Sequence, residues 1–544
     1  MKKIYIIAIL FVVVSCNDSV LDIKPSSFVS DATIWKEEGL IEQTLANIYG
    51  TTLCAFNRKG DLYEIPAFSH IDLATDDGNG KVDAGIQLYN TGGITASNTP
   101  YAIEMWRENY KLIRRANNFM EGIANVGTDV IAADVKKVYS AEARFLRAFA
   151  YFELVKAFSG VPLIKTAQTA NDENILLPRN TSDEVYKFIF ADCDIASADL
   201  SVSPTIGHAS KGAAMALKSR AMLYYASPLN NPGNDVSRWT NAADASKAIM
   251  SLNKYSLYSD YRKLFLKAAE NNSEVIFDRQ FKFPESVHTI QCTWGMWFTF
   301  DAGTWGGFSP SQDIVDAYEM TNGLPITNTA SGYDPNNPYK NRDSRLAATI
   351  VYNGSKWRGQ TVGFYVGGNA DANKEVNCGY GLKKFDEEVA IGTNFYDGSY
   401  AQENNWIYFR YAEVLLNFAE AQNEAAGPSQ AIYDAVNLVR NRAGQPNLPI
   451  GLSKDELRAR IWNERRVELV YEEHRFFDVR RWKKGMDIFN QPIHEAIAIK
   501  ITDGSFTYTY PVKETRTYKT HFDFLPIPIG EIEKNPKLIQ NPVY

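Results

Sequence analysis

The sequence predicts a mostly α-helical protein, with helix pairs as scaffold and a loop-rich ligand-binding half that contains a few short strands. Three observations carry that expectation. Apolar residues recur at helical spacing across residues 101–122, 138–158, 211–226 and 239–252, and again across 407–424, 429–443 and 453–474. Between these groups, from 272 to 404, the period is lost, and short apolar runs such as Val275-Ile276-Phe277 and Thr349-Ile350-Val351-Tyr352 alternate with Gly, Pro and Asn. Residues 51–100 are loop-like in the same way, rich in Gly, Asn and Asp. The scaffold is therefore expected at about 101–252 and 406–482, and the binding half at about 51–100 and 272–404.

The chain opens with Lys2 and Lys3, an apolar run from Ile4 to Val14, and then Ser15 and Cys16. Eleven apolar residues fall short of the ~20 that span a bilayer, so residues 1–15 read as a secretory leader. Val13-Val14-Ser15-Cys16 resembles a lipobox, which makes Cys16 the expected lipid-bearing first residue of the mature chain. Residues 16–29 then form a tether, and 30–544 a single domain. A first helix runs through Trp35, Leu40, Ile41, Leu45 and Ile48 to Gly50. Burial spacing in 101–122 is set by Trp106, Tyr110, Ile113 and Phe119, and Gly160-Val161-Pro162 stops the helix after it. Thr181 with Glu184, and Ser210, mark two further helix starts. These antiparallel pairs have about the length of a tetratricopeptide repeat, although its consensus is not cleanly visible. Residues 501–510 are expected to form a strand pair.

Composition excludes some classes. A net charge of −7 with no basic run provides no electrostatic footprint for nucleic acid. There is no phosphate loop, dinucleotide fingerprint, nucleophile elbow or H-E-x-x-H helix, and six scattered histidines show no metal-ligand spacing. Cys54, Cys193, Cys292 and Cys378 are widely spaced and read as buried thiols rather than a disulfide framework.

The densest signal is residues 461–482, IWNERRVELVYEEHRFFDVRRW. Val467, Val470, Tyr471, His474 and Phe477 can face inward together, while interleaved Glu, Asp and Arg point to a partly buried ionic lattice. Glu472, Glu473 and His474 are adjacent on a helix and diverge, so they do not make a catalytic or metal cluster. This run resembles the C-terminal signature of the SusD/RagB family of outer-membrane nutrient-binding lipoproteins. The resemblance extends to residues 141–163, 408–421 and 524–544, in family order. It implies a non-catalytic, cofactor-free protein, lipid-anchored through Cys16 at the outer membrane and, given Asp18 and Asp22 beside that cysteine, facing outward. Its partners would be an oligosaccharide or polysaccharide and a SusC-like TonB-dependent transporter.

Two segments are candidate ligand contacts. Residues 292–310, CTWGMWFTFDAGTWGGFSP, place Trp294, Trp297 and Trp305 among glycines, and flat rings with nearby polar groups suit sugar faces. Residues 69–89 contribute Asp76, Asp77 and Asn79 for hydroxyl groups and Tyr89 for stacking, in the insertion that the resemblance associates with ligand contacts. The same stretch matches part of a calcium loop, Thr75-x-Asp77-x-Asn79-Gly80. Thr stands at its first position and Ile86 in place of the bidentate Glu, so calcium is the weaker reading. Three alternatives remain open: a RagB-like peptide binder, a secreted glycosidase using two carboxylates across a cleft, and a purely structural helical module.

Overall fold

A computed structural model describes residues 31–56, 70–80, 84–169, 171–173, 175–296, 306–370, 377–388 and 401–544. The expected leader, Cys16 and tether lie outside the described residues. The principal helices are α1 (Glu38–Tyr49), α2 (Pro100–Ala124), α3 (Ala133–Phe158), α4 (Ser182–Asp199), α5 (Lys211–Ala226), α6 (Val236–Met250), α7 (Tyr411–Ala426), α8 (Gln430–Arg442), α9 (Lys454–Glu468) and α10 (Arg475–Arg481).

From α2 to α6 each helix packs on the next, and α7 then packs on α6 as though the chain between them were absent. Residues 251–410 are thus an insertion into a continuous helical array. The array is held by apolar faces: Phe145, Leu146, Phe149, Phe152 and Leu154 of α3 are all buried, and alanines 213, 214, 216 and 221 let α5 approach closely. Capping is local and legible. Thr181 with Glu184 and Ser453 with Glu456 form complete capping boxes, and the Ser210 side chain accepts from the Ala213 N–H; each cap contributes about 1 kcal/mol.

The loop-rich half contains only two-stranded sheets among the described residues. Those used below are Gly78–Gly80 with Phe308–Pro310, Val275–Arg279 with Trp406–Arg410, and the hairpin Ile497–Lys500 with Phe506–Thr509. The strand pair expected over 501–510 forms from 497–500 and 506–509, and two further boundaries differ from expectation. Residues 407–410 are strand rather than helix: Trp-Ile-Tyr-Phe-Arg is aromatic and β-branched, and pairing with 275–279 buries four of the five. The helix expected over 453–474 stops at Glu468, and α10 resumes at Arg475. Tyr471 and Glu473 lie between them at φ of 62° and 61°. Left-handed backbone at non-glycine residues costs of order 1–3 kcal/mol each. Tertiary bonds offset it: Tyr471 Oη donates to the Asp77 carbonyl (2.9 Å), the His70 Nε2 lies 3.1 Å from the Tyr471 carbonyl oxygen, and the Glu473 N–H donates to Asp72 (3.1 Å).

The ionic lattice is real and more deeply buried than the sequence implied. Glu468 receives Arg345 (2.9 Å), Arg410 (2.6 Å) and Arg442; Glu464 receives Arg345 (2.6 Å) and Arg440 (2.9 Å); Asp478 receives Arg465 (2.6 Å) and Arg481 (2.8 Å). Burial alone would raise the Glu468 carboxyl, but Arg442, Arg410 and Arg345 overcome it and hold it well below the usual range. The lattice staples α8 and α9 to the inserted half, and α10 to α9. Cys193 and Cys378 are buried free thiols, and Cys54 is buried.

Candidate functional site

The acidic segment expected to meet ligand is anchored instead to α9 and α10. Arg475 forks onto Asp76 (Nε–Oδ1 2.9 Å, Nη2–Oδ2 2.8 Å), and Arg466 Nε donates to Asp77 at 2.7 Å. Burial would raise Asp76, but the two guanidiniums prevail and hold it below the ordinary carboxylate range; Asp77, deeper and beside Asp76, is raised by burial. Asn79 bonds Glu514 and Asn377, and the Tyr89 hydroxyl lies 2.9 Å from Thr99 with its ring edge on Phe476. Asp77, Asn79 and Tyr89 are buried. The carbonyls of Leu73, Thr75 and Gly78 all accept from Arg516. In the structure these four side chains face arginines, amides and core rings. In the partial calcium-loop match the Asp77 position faces a guanidinium, and positions 81–83 lie outside the described residues.

Trp294 also packs inward. It ends a short helix, Ile290–Trp294, and is 3% exposed. His70, Phe56, Phe308 and Phe385 surround it at centroid distances of 4.8, 5.7, 5.8 and 6.1 Å. A ring of this size gains more from such a nest than from a solvent-facing loop. Trp297 and Trp305 lie outside the described residues.

His288 shares this nest, 4.5 Å from the Phe56 ring, with Nε2 2.9 Å from the Asn404 carbonyl oxygen. Burial pushes its pKa down to about 3. His474 is also held neutral, by burial and by surrounding arginines. A depressed folded pKa gives stability that is full above the unfolded value of about 6.5 and is lost as pH falls toward 3. At pH 5, His288 alone is expected to lower stability by about 2 kcal/mol relative to neutral pH. Urea unfolding at pH 7.5 and 5 checks this: His288→Gln should shrink the difference, and an unchanged difference would contradict it.

An aromatic cleft of about 540 Å³ lies elsewhere, between the loop-rich half and the C-terminal hairpin, within the roughly 300–1,000 Å³ of small-ligand sites. Three turns build it: 336–340, 352–354 and the hairpin around 501–508. Tyr339 and Tyr352 stack at 4.2 Å and 25°, and Tyr508 meets Tyr339 edge-on at 5.6 Å. These three rings and Phe506 are half-buried, the exposure at which an aromatic can both pack and bind.

The cleft's geometry is fixed from behind. Arg342 donates to the Pro338 carbonyl at 2.7 Å, which pins the 336–340 turn. The Tyr339 hydroxyl reaches Tyr380 (3.1 Å), Tyr380 donates to Gln312 (2.5 Å), and Gln312 donates to Asp316 (2.6 Å). Because Tyr380 gives its proton to Gln312, Tyr339 must be the donor in the first bond. Gly354, at φ 87°, closes the tight turn that presents Tyr352 and Asn353, and the Asn353 amide donates to Tyr508 (3.1 Å). Tyr508 thereby keeps its own hydroxyl proton for another acceptor. The sequence signal for this site is slight: Asn-Pro-Tyr, Tyr-Asn-Gly and alternating Phe506, Tyr508 and Tyr510, each an ordinary turn or strand motif alone.

A helical array with a loop-rich insertion carrying a rigid aromatic cleft defines a binding protein on a helix-pair scaffold. Comparison with known proteins makes the class specific. The model of the SusD family matches residues 235–544, and a second, described as starch-binding associating with outer membrane, matches residues 21–223. The chain belongs to the SusD family. A SusD-like protein of Formosa agariphila is 27% identical over 526 residues, covering 90% of this chain and 93% of that protein. The structure is similar to that of a SusD-like protein from Bacteroides fragilis (28% identity, TM-score 0.81, 95% of this chain and 99% of that one). A SusD-like carbohydrate binding protein from the same species gives 26% identity and a TM-score of 0.77, covering 93% of this chain and all of that one.

Proposed function

We propose that this protein captures a glycan at the cell surface and hands it to a SusC-like TonB-dependent transporter in the outer membrane. The observation that carries the reading is the cleft, where half-buried tyrosine rings stand beside side-chain amides. Sugar rings have apolar faces that pack on aromatic rings and hydroxyls that bond amides and phenols. No carboxylate is among the described residues lining it, so the pair of acids a glycosidase needs is missing there. The protein acts by binding and release.

The family and the outer-membrane description of the matched model support the location. Among the described residues no helix is long and apolar enough to cross a membrane; a lipid on Cys16 would supply the attachment. One acyl chain holds only marginally, so more than one is expected. The relative from Bacteroides fragilis described as carbohydrate binding supports the ligand class.

Calorimetry of the chain beginning after Cys16 against an oligosaccharide panel tests the proposal. Tyr352→Ala with Phe506→Ala should weaken the best ligand by at least about ten-fold, or about 1.4 kcal/mol, while cooperative unfolding persists. Binding that survives the double change would remove the cleft from the mechanism.

A further inference from the structure

We propose that the tyrosine cleft is selective for uncharged sugars, accepting neutral oligosaccharides and discriminating against those that carry uronate or sulfate groups. The inference deepens the carbohydrate reading of the cleft and rests on it. Its basis is the chemistry of the lining. Among the described lining residues Lys340 is the only charged side chain, and it is exposed. The remaining polar groups are the amides of Asn336, Asn337 and Asn353, the hydroxyls of Ser505 and Thr507, and the tyrosine phenols.

Those phenols are uncharged. Burial raises Tyr339, Tyr352 and Tyr508 above the ordinary phenol value, so each remains a neutral donor throughout the physiological range. The two acids beside the lining are occupied within their own turns. Asp334 accepts from the Asn336 N–H (2.9 Å) and the Asn337 amide (2.7 Å), and Asp503 accepts from the Ser505 N–H (2.8 Å) and hydroxyl (2.6 Å).

A carboxylate or sulfate ester moved out of water needs a matching cation, and a guanidinium fork is the strongest partner for either. No arginine is among the described lining residues. A flexible surface lysine is strongly hydrated and offers only a point charge. The net charge of −7 adds a weak long-range repulsion against polyanions. Neutral hydroxyls match this lining without such a cost, because amides and phenols both donate and accept.

Calorimetry on the chain beginning after Cys16 tests this, using neutral glucan, mannan, xylan and galactan oligosaccharides beside oligogalacturonates and sulfated galactans. Each is measured at 50 and 500 mM NaCl, with the Lys340→Met variant in parallel. The expected result is binding of a neutral sugar that changes less than about two-fold with salt, because no ion pair is made. Acidic sugars should bind at least about ten-fold more weakly. Tight binding of an acidic sugar, weakened by salt and lost in Lys340→Met, would overturn the selectivity and leave the carbohydrate reading standing. Binding of no sugar in either group, or sugar binding that Tyr352→Ala with Phe506→Ala leaves intact, would overturn the reading of the cleft itself.

Discussion

Glu468→Ala is expected to lower folding stability by about 3–5 kcal/mol, the usual cost of removing one member of a buried ion-pair network. Glu468 is fully buried and receives three guanidiniums, those of Arg345, Arg410 and Arg442. Deleting it leaves buried positive charge that the neighbouring acids only partly match. Glu464→Ala and Arg475→Ala break the same kind of contact and should destabilise while leaving ligand preference unchanged. A surface pair is the contrast. Arg107 and Glu108 are 2.7 Å apart, but the Arg107 side chain is 60% exposed, and its removal should stay within about 0.5 kcal/mol. Urea unfolding of the variants checks both ends. Equal losses would mean the buried lattice adds no more than surface pairing.

The lattice also sets an acid limit. The Glu468 and Asp478 carboxyls are depressed in the fold: burial opposes ionisation of each, and the adjoining arginines outweigh it. A depressed carboxylate stabilises above its unfolded pKa of about 4, and that stability disappears as pH falls below it. The histidine effect acts at higher pH, so wild-type stability should decline in two stages, from about 6.5 and again below about 4.

Trp294→Ala is expected to cost about 3–5 kcal/mol by opening a cavity among Phe56, His70, Phe308 and Phe385. Affinity for a sugar in the remaining folded protein should be unchanged. Thermal and urea unfolding with parallel calorimetry separate the two quantities. Weakened sugar binding with wild-type stability would return Trp294 to the ligand.

Much of the scaffold was legible because its signals are local. Helical periodicity located α2 to α9, and Thr181 with Glu184 and Ser210 marked where two of the helices begin. The charged run at 461–482 identified the family and foretold the lattice, since alternating Arg and Glu on a helix with an apolar face have few other arrangements. The stop at Glu468 was illegible. Nothing in Leu-Val-Tyr-Glu-Glu-His breaks a helix, and the left-handed residues there answer to the 70–80 segment, with Tyr471 bonding Asp77 394 positions away.

The site was the least legible part, for a specific reason. Asp76 and Asp77 look like ligand groups until Arg475 and Arg466 are brought beside them, and Trp294 among glycines looks exposed until the helix it ends is packed. The sequence by itself determined the helices, their caps, the buried charge and the family, because each is written in short-range spacing. Only the tertiary structure decided which aromatic residues face a cleft. Tyr339, Tyr352 and Tyr508 come from three separate turns, and the choice between core and surface depends on how the insertion packs against the C-terminal hairpin.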